Sequence, residues 1–198
     1  MIVVTNPTPV NNEATIINAM FDDGLELLHI RKPDATVGEV RQLIEQIDYR
    51  YHPQLALHQY HEIASDYGIY RLHYTETERV KQPEKQLADL RQKGFILSTS
   101  VHSRESYVNL PLMFSYAFIG PVFNSISKKD YLAMKIADES WKKNGIDRIA
   151  IGGITAENCN DSLLNHFDDI AVLGALWLSE EPLHEFKLLQ DTWSTTGQ

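Results

Sequence analysis

Short apolar, β-branched runs alternate with amphipathic segments along almost the whole chain. Runs of this kind, bounded by turn residues, are typical of buried strands, whereas apolar residues at a spacing of three and four are typical of helices. About eight runs predict strands, at residues 2–5, 25–30, 54–57, 69–73, 95–99, 116–119, 148–151 and 170–173.

The clearest helix signal follows the second apolar run. Thr36 and Glu39 have the spacing of a capping box, and the apolar residues after them recur at helical spacing. Further helices are predicted around residues 16–21, 87–90, 132–141 and 183–189.

Strands that alternate with helices, with no Pro/Gly/Ser linker between them, predict a single α/β domain over residues 1–198 with a parallel sheet. About eight strands favour a closed (β/α)8 TIM barrel over an open doubly wound sheet. The chain is short for that fold, which typically takes ~250 residues, so its helices and loops must be trimmed. It also lacks a G-x-G-x-x-G segment after the first strand and a Walker A segment.

Residues 147–174 carry the strongest pattern for a ligand site. An apolar run leads into the turn Gly152-Gly153-Ile154, and Thr155 is placed to cap a following helix. The next apolar run ends on Gly174. Backbone N–H groups in such turns hold phosphates, and phosphates commonly sit after strands seven and eight of a barrel. The predicted phosphate site comprises Gly152, Gly153, Ile154, Gly174 and Ala175. The alternative is that these glycines only permit tight turns.

The composition of the chain limits the kinds of partner that the protein is expected to bind. A net charge of −9 argues against a nucleic-acid or anionic-membrane surface, so a phosphate site must be local. The single cysteine, Cys159, offers neither a disulfide nor a cysteine-based metal site. With no signal peptide and no apolar run of membrane-spanning length, we expect a cytoplasmic protein.

Polar residues follow several predicted strands, where a barrel has its active-site mouth. Arg31 is suited to hold a phosphate or carboxylate in a bidentate fork, or alternatively forms a structural ion pair. Ser125, Ser127 and Lys128 have the make-up of an anion-binding loop, although Lys128 is equally consistent with a solvated surface lysine.

Three histidines, His58, His73 and His102, also follow predicted strands. If they converge, they are candidates for acid/base work near neutral pH, and the alternative for each is a hydrogen-bonded packing role. They share no ligand spacing in the sequence, so we predict no metal site there.

Three segments together resemble one known family. Ser100-Val101-His102-Ser103, then Gly120-Pro121-Val122-Phe123 with Ser125-x-Ser127-Lys128, then Ile151-Gly152-Gly153-Ile154 are similar to the thiamine phosphate synthase and TenI family. The resemblance covers nearly the whole chain, and Arg31 fits the same pattern. It implies a (β/α)8 barrel.

The resemblance also implies roles. Family synthases join a pyrimidine pyrophosphate to a thiazole phosphate with Mg²⁺. By this resemblance, the thiazole phosphate would bind to the backbone of Gly152, Gly153 and Gly174. The pyrophosphate would contact Arg31 and the loop of Ser125, Ser127 and Lys128. Ser100 would lie near the reacting centre.

The chain departs from the synthase pattern where Mg²⁺ and pyrophosphate are handled. Gln59 stands where the family has an aspartate ligand, and the second aspartate falls near Glu76 or Glu78. Pro33 replaces a lysine, for which Lys32 is a partial substitute. Because a neutral amide is a poor ligand for Mg²⁺, we expect no cofactor unless synthase activity is retained.

TenI-type members act instead as thiazole tautomerases, which need a phosphate site and an acid/base but no metal. Their characteristic histidine lies where this chain has Pro121, so His58 or His102 would have to move the proton, with Ser100 beside them. We therefore favour the tautomerase slightly; the alternatives are the synthase and a non-catalytic regulatory protein that binds the phosphorylated ligand. The expected partners are a thiazole phosphate and, for a synthase, a pyrimidine pyrophosphate. The oligomeric state stays open, and a homo-oligomer is among the partners considered.

Overall fold

The computed structural model describes residues 1–124 and 145–196. Its strands form one closed parallel barrel in which each strand pairs with the next and the last pairs with the first, which confirms the predicted fold. The strands are β1 Ile2–Val4, β2 Leu27–Ile30, β3 Leu55–Leu57, β4 Arg71–Tyr74, β5 Ile96–Val101, β6 Phe114–Ile119, β7 Asp147–Ile151 and β8 Asp169–Val172.

Helices surround the barrel and several are short. They are α1 Glu13–Asp22, α2 Val37–Gln46, α3 Glu76–Arg79, α4 Glu84–Gln92, α5 Arg104–Val108, α6 Gly174–Trp177 and α7 Pro182–Thr196. Between β3 and β4, and again between β7 and β8, the described chain has 3₁₀ helices, His61–Tyr67 and Ser162–His166, in place of an α-helix. This trimming explains how the fold is reached in 198 residues. Within the described residues, no helix is long and apolar enough to cross a membrane.

Two predictions of local structure have different outcomes. The capping box is confirmed, because Thr36 Oγ1 accepts from Glu39 N–H while the Glu39 carboxylate accepts from Thr36 N–H. The helix predicted from Thr155 is wrong. Asn158 accepts the Thr155 N–H at 2.8 Å and donates to the Gly153 carbonyl at 2.9 Å, which closes a turn where the helix would begin. The helix predicted at 132–141 lies outside the described residues.

The inside of the barrel is divided between apolar and polar side chains. On the side of β1, β6, β7 and β8, the packed interior residues are Ile2, Val4, Tyr116, Phe118, Ile149 and Ala171. On the side of β2, β4 and β5, the buried residues include His29, His73 and Ser98. A second and larger apolar layer packs between the strands and the helices.

A buried ion pair joins the end of β2 to the start of α1. Lys32 Nζ lies 2.6 Å from a carboxylate oxygen of Glu13, and both side chains are less than a tenth exposed. Burial raises the pKa of the Glu13 carboxyl above its ordinary value even though Lys32 opposes that shift. The cost of removing these charges from water is therefore only partly offset by their attraction, and each depends on the other.

We expect Glu13→Gln to lower the free energy of unfolding by about 3–5 kcal/mol, because it leaves the Lys32 ammonium buried without its countercharge. Urea denaturation measures this change. The matched control is Glu78→Gln, which breaks an exposed pair with Lys81 of nearly the same length, 2.7 Å, and should cost about 0–1 kcal/mol. Equal effects of the two substitutions would contradict the assignment.

Candidate functional site at the carboxyl end of the barrel

The predicted phosphate site begins in a turn that only glycine fits. Gly152 and Gly153 have φ angles of 103° and 69°, in the left-handed region. A Cβ on Gly152 would lie 2.7 Å from Pro121 Cα, and one on Gly153 would lie 2.5 Å from the Asn124 carbonyl oxygen. The N–H groups of both glycines donate no hydrogen bond within the part of the chain that the structure describes. They remain available to a ligand.

The segment that packs on this turn is the one after β6. Val122 N–H donates to the Ile151 carbonyl and Phe123 N–H donates to the Gly152 carbonyl, both at 3.0 Å. Ile154 is buried, so its side chain is not available to a ligand. Close packing with the segment after β6 therefore requires glycine at these positions. The N–H groups of Gly152 and Gly153 remain unbonded to any described residue at the barrel mouth.

Gly174 and Ala175 lie on the neighbouring strand end, at the start of α6. Gly174 does not have a positive φ, and the nearest atom to a Cβ added there would be Leu178 Cδ1 at 3.9 Å. Packing thus does not require glycine at this position. The four-residue α6 and the missing helix at Thr155 also mean that two long helix termini do not flank the site.

His102 lies just past β5 with an exposed side chain. Its Nδ1 donates a hydrogen bond to the Gly120 carbonyl at 2.9 Å. A carbonyl can only accept, so Nδ1 carries a proton and Nε2 is the nitrogen left to react. Gly120 directly precedes Pro121, which packs against Gly152. His102 is therefore tied to the same segment as the glycine turn.

His58 and Ser100 face the barrel interior instead. His58 Nε2 shares a hydrogen bond with His29 Nδ1, and Ser100 Oγ shares one with His73 Nε2, each at 2.9 Å. The rings of His58 and His73 stack with centroids 4.0 Å apart. The predicted convergence of histidines thus occurs for His58 and His73. The third member is His29 rather than His102.

Burial controls the protonation of this interior group. It lowers the pKa of His29 to about 3, helped by the positive charge of Arg71. It also lowers the pKa of His58 and of His73 well below the ordinary value, and the neighbouring imidazoles add to the effect. These rings are neutral at pH 7. They are poor proton acceptors there, so His102 is the better placed acid/base.

Arg31 follows β2 and is partly exposed. Its backbone is held by Thr5, whose hydroxyl accepts from Arg31 N–H at 2.9 Å. Its guanidinium forms no ion pair or hydrogen bond with any described residue, which does not support the structural ion pair considered above. The positive charge of Arg31 lowers the pKa of His58 and of His73, so the guanidinium lies within electrostatic range of these two rings. Ser125, Ser127 and Lys128 lie outside the described residues.

The positions that handle Mg²⁺ and pyrophosphate in the resembling synthases are engaged in structural contacts. Gln59 Nε2 donates to the Lys32 carbonyl, while the Lys32 ammonium is held by Glu13. Glu76 pairs with Arg79 at 3.5 Å, and Glu78 pairs with Lys81 at 2.7 Å. The neutral Gln59 amide is a poor magnesium ligand, and both carboxylates already have cationic partners. The partial substitution that we expected from Lys32 is wrong, because its ammonium is buried in an ion pair.

Sequence reasoning missed His29, Ser98 and Tyr116, and it treated His73 as a residue that follows its strand although His73 lies within β4. His29 Nε2 lies 2.8 Å from the Tyr116 hydroxyl, and His73 Nδ1 lies 2.9 Å from Ser98 Oγ. The available signal was period-two polarity within otherwise apolar runs, as in Arg71-Leu72-His73. Alternation shows that such side chains share a face, whereas their meeting across strands depends on register.

Comparison with known proteins agrees with this architecture. A thiamine-phosphate synthase of Streptococcus suis (strain 98HAH33) is 30% identical over 155 residues, a match that covers 75% of this chain and 65% of that protein. The match thus spans just under two thirds of that relative. A thiamine-phosphate synthase of Cronobacter sakazakii (strain ATCC BAA-894) is 27% identical over 179 residues, covering 85% of this chain and 82% of the relative.

Two solved structures share the fold. A thiamine phosphate pyrophosphorylase from Bacteroides thetaiotaomicron superposes with a TM-score of 0.75 at 23% identity, over 100% of this chain and 99% of that one. One from Pyrococcus furiosus gives 0.78 at 19% identity, over 100% and 96%. The family model described as thiamine monophosphate synthase matches residues 1–176. With most of its length matched, this chain belongs to the thiamine monophosphate synthase family.

Proposed function

We propose that the chain is a thiamine-pathway enzyme that binds a thiazole phosphate at the Gly152-Gly153 turn and moves a proton on the thiazole ring, as a TenI-type tautomerase. The observation that carries the proposal is the hydrogen bond from His102 Nδ1 to the Gly120 carbonyl. It leaves Nε2 unprotonated in the neutral ring, beside the segment that covers the glycine turn.

The position of His102 compensates for the main departure from TenI proteins. By resemblance, their characteristic histidine would stand at Pro121. Here the His102 imidazole bonds to the carbonyl of the residue before Pro121, so a neighbouring strand end brings an imidazole to the same segment. In the proposed reaction, Nε2 takes a proton from one ring atom of the thiazole and returns it to another, with no net change in charge.

The remaining residues of the site are suited to two different parts of the ligand, its phosphate and its carboxylate. The free N–H groups of Gly152 and Gly153 suit a phosphate, with Gly174 and Ala175 on the adjoining strand end as further backbone donors. The Arg31 guanidinium, unpaired among the described residues, suits a carboxylate. No metal enters this scheme, because the Mg²⁺ positions are occupied by structural contacts.

The second candidate is thiamine phosphate synthesis from a pyrimidine pyrophosphate and a thiazole phosphate. The curated relatives described above carry that name, and this chain shares Pro121 with synthases of the resembling family. It would require another set of ligands for Mg²⁺ than Gln59 and the paired Glu76 and Glu78.

A paired assay on purified protein separates the two candidates. One arm supplies the thiazole carboxylate phosphate tautomer without metal and follows aromatisation. The other supplies pyrimidine pyrophosphate and thiazole phosphate, with and without Mg²⁺, and follows thiamine phosphate. We expect turnover in the first arm only. Mg²⁺-dependent product in the second would establish the synthase, and silence in both with ligand binding intact would indicate a regulatory protein.

His102→Gln should lower tautomerase kcat by roughly 100–10,000-fold while the Kd for thiazole phosphate changes little, because it removes the acid/base and leaves the phosphate donors in place. Stopped-flow absorbance and calorimetry measure the two quantities. His184→Gln, at an exposed position of α7, is the control and should behave as the wild type. Unchanged kcat in His102→Gln would remove His102 from the mechanism.

Gly153→Ala should weaken binding of thiazole phosphate by roughly 10–100-fold, since the Asn124 carbonyl must move and the two N–H donors shift with it. The control is Gly68→Ala. Gly68 has nearly the same φ, 66° against 69°, but an added Cβ meets nothing within 4 Å. Both variants share the strain of a positive φ, so a difference in Kd isolates the site. Retained affinity in Gly153→Ala would contradict the phosphate assignment.

A further inference from the structure

Three interior histidines lie close enough together to act as one ligand set. His29 is on β2, His58 directly follows β3 and His73 is on β4, and these three strands are neighbours in the barrel. One ring nitrogen from each lies within 4.8 Å of the others. His29 and His73 are fully buried, whereas His58 is partly exposed.

From this arrangement we infer that His29, His58 and His73 form a binding site for a divalent transition-metal ion of the zinc or cobalt class. Three imidazoles with an open fourth position are the usual ligand set of a catalytic rather than a structural zinc site. The inference goes beyond the proposed function, because the tautomerase scheme uses His102 and no metal.

The distances between the ring nitrogens are close to those around such an ion. Zinc bonds to histidine nitrogen at about 2.0–2.1 Å, so nitrogens around a tetrahedral ion stand roughly 3.3 Å apart. The His29–His58 contact of 2.9 Å would open slightly, and the wider separations, up to 4.8 Å, would close. The rings of His58 and His73 are stacked, with centroids 4.0 Å apart, so one of them must rotate for both in-plane lone pairs to point at one ion.

The surrounding groups are those that orient metal-bound imidazoles. A ligating histidine usually donates its second N–H to an oxygen, which selects the tautomer and the ring direction. The Tyr116 hydroxyl is placed to accept from His29 Nε2, and Ser98 or Ser100 is placed to accept from His73. Each imidazole keeps one proton in this state, so no net proton transfer is needed.

His58 supplies a further observation. Its Nδ1 is buried and has no hydrogen-bond partner, whereas both nitrogens of His29 and of His73 are bonded. In the metal-free protein His58 is therefore the least satisfied member of the group.

The site favours nitrogen-seeking ions over Mg²⁺. It contains no carboxylate among the three ligands, and Arg71 and Arg31 add positive charge to its surroundings. A hard cation bound mainly by charge would be disfavoured there, while zinc and cobalt gain directed bonds to imidazole.

The test is calorimetric titration of the tag-free full chain, stripped with a chelator, with Zn²⁺ alone. We expect one site per chain, no heat with Mg²⁺, and visible d–d absorption with Co²⁺ of the intensity typical of low coordination number. His58→Gln should weaken Zn²⁺ binding by at least about 100-fold, more than the roughly 10–100-fold that loss of an outer partner costs. The control is His184→Gln, on exposed α7, which should leave the Kd unchanged.

Tyr116→Phe provides a second variant that keeps the ring and removes the hydroxyl partner of His29, a hydroxyl that also bonds to Ser98 and Arg71. It should weaken Zn²⁺ binding roughly 10–100-fold, and it decides the question if His58→Gln proves unfolded by circular dichroism. Absence of stoichiometric Zn²⁺ binding by the wild type, or an unchanged Kd in the folded variant, would overturn the inference. No substrate is present in the titration, so its outcome is independent of the tautomerase assay.

Discussion

The backbones at the ends of β6 and β7 approach too closely to leave room for a side chain between them. A Cβ on Gly120 would lie 2.0 Å from the Ile151 carbonyl oxygen, and Cβ atoms on Gly152 and Gly153 would meet Pro121 and Asn124. Backbone atoms cannot turn aside as the tip of a flexible side chain can. This contact therefore sets where the Gly120 carbonyl and the free N–H groups of the glycine turn lie, and the proposed roles of His102 and the turn depend on it.

Strand β5 connects the two groups of histidines. Successive side chains of a strand point to opposite faces, so Ser98 and Ser100 both face the interior, where they bond to His73. His102 comes after the last paired residue, Val101, and bonds instead to the segment after β6. One strand thus supports a buried, neutral network and an exposed imidazole at the mouth, which have different protonation behaviour because their solvation differs.

In the loops beside β2 and β3, structural contacts engage the residues at the positions where the resembling synthases handle Mg²⁺ and pyrophosphate. Gln59 donates to the Lys32 carbonyl, and the Tyr60 hydroxyl donates to the Ala35 carbonyl at 2.7 Å. Lys32 itself is buried against Glu13. These contacts brace the loop between β2 and α2. They also explain why resemblance to a metal-dependent synthase does not by itself carry the metal to this chain.

Local chemistry in the sequence determined the strands, the capping box at Thr36 and the residues at the barrel mouth, because period, capping and turn preferences act over a few residues. The prediction of a helix from Thr155 failed, because the Asn158 side chain bonds to the Thr155 N–H and to the Gly153 carbonyl. Only the tertiary structure decided that His29 joins His58 and His73, that Lys32 is buried and that His102 bonds to Gly120. These contacts join residues 18 to 44 positions apart, and barrel closure and strand register bring them together.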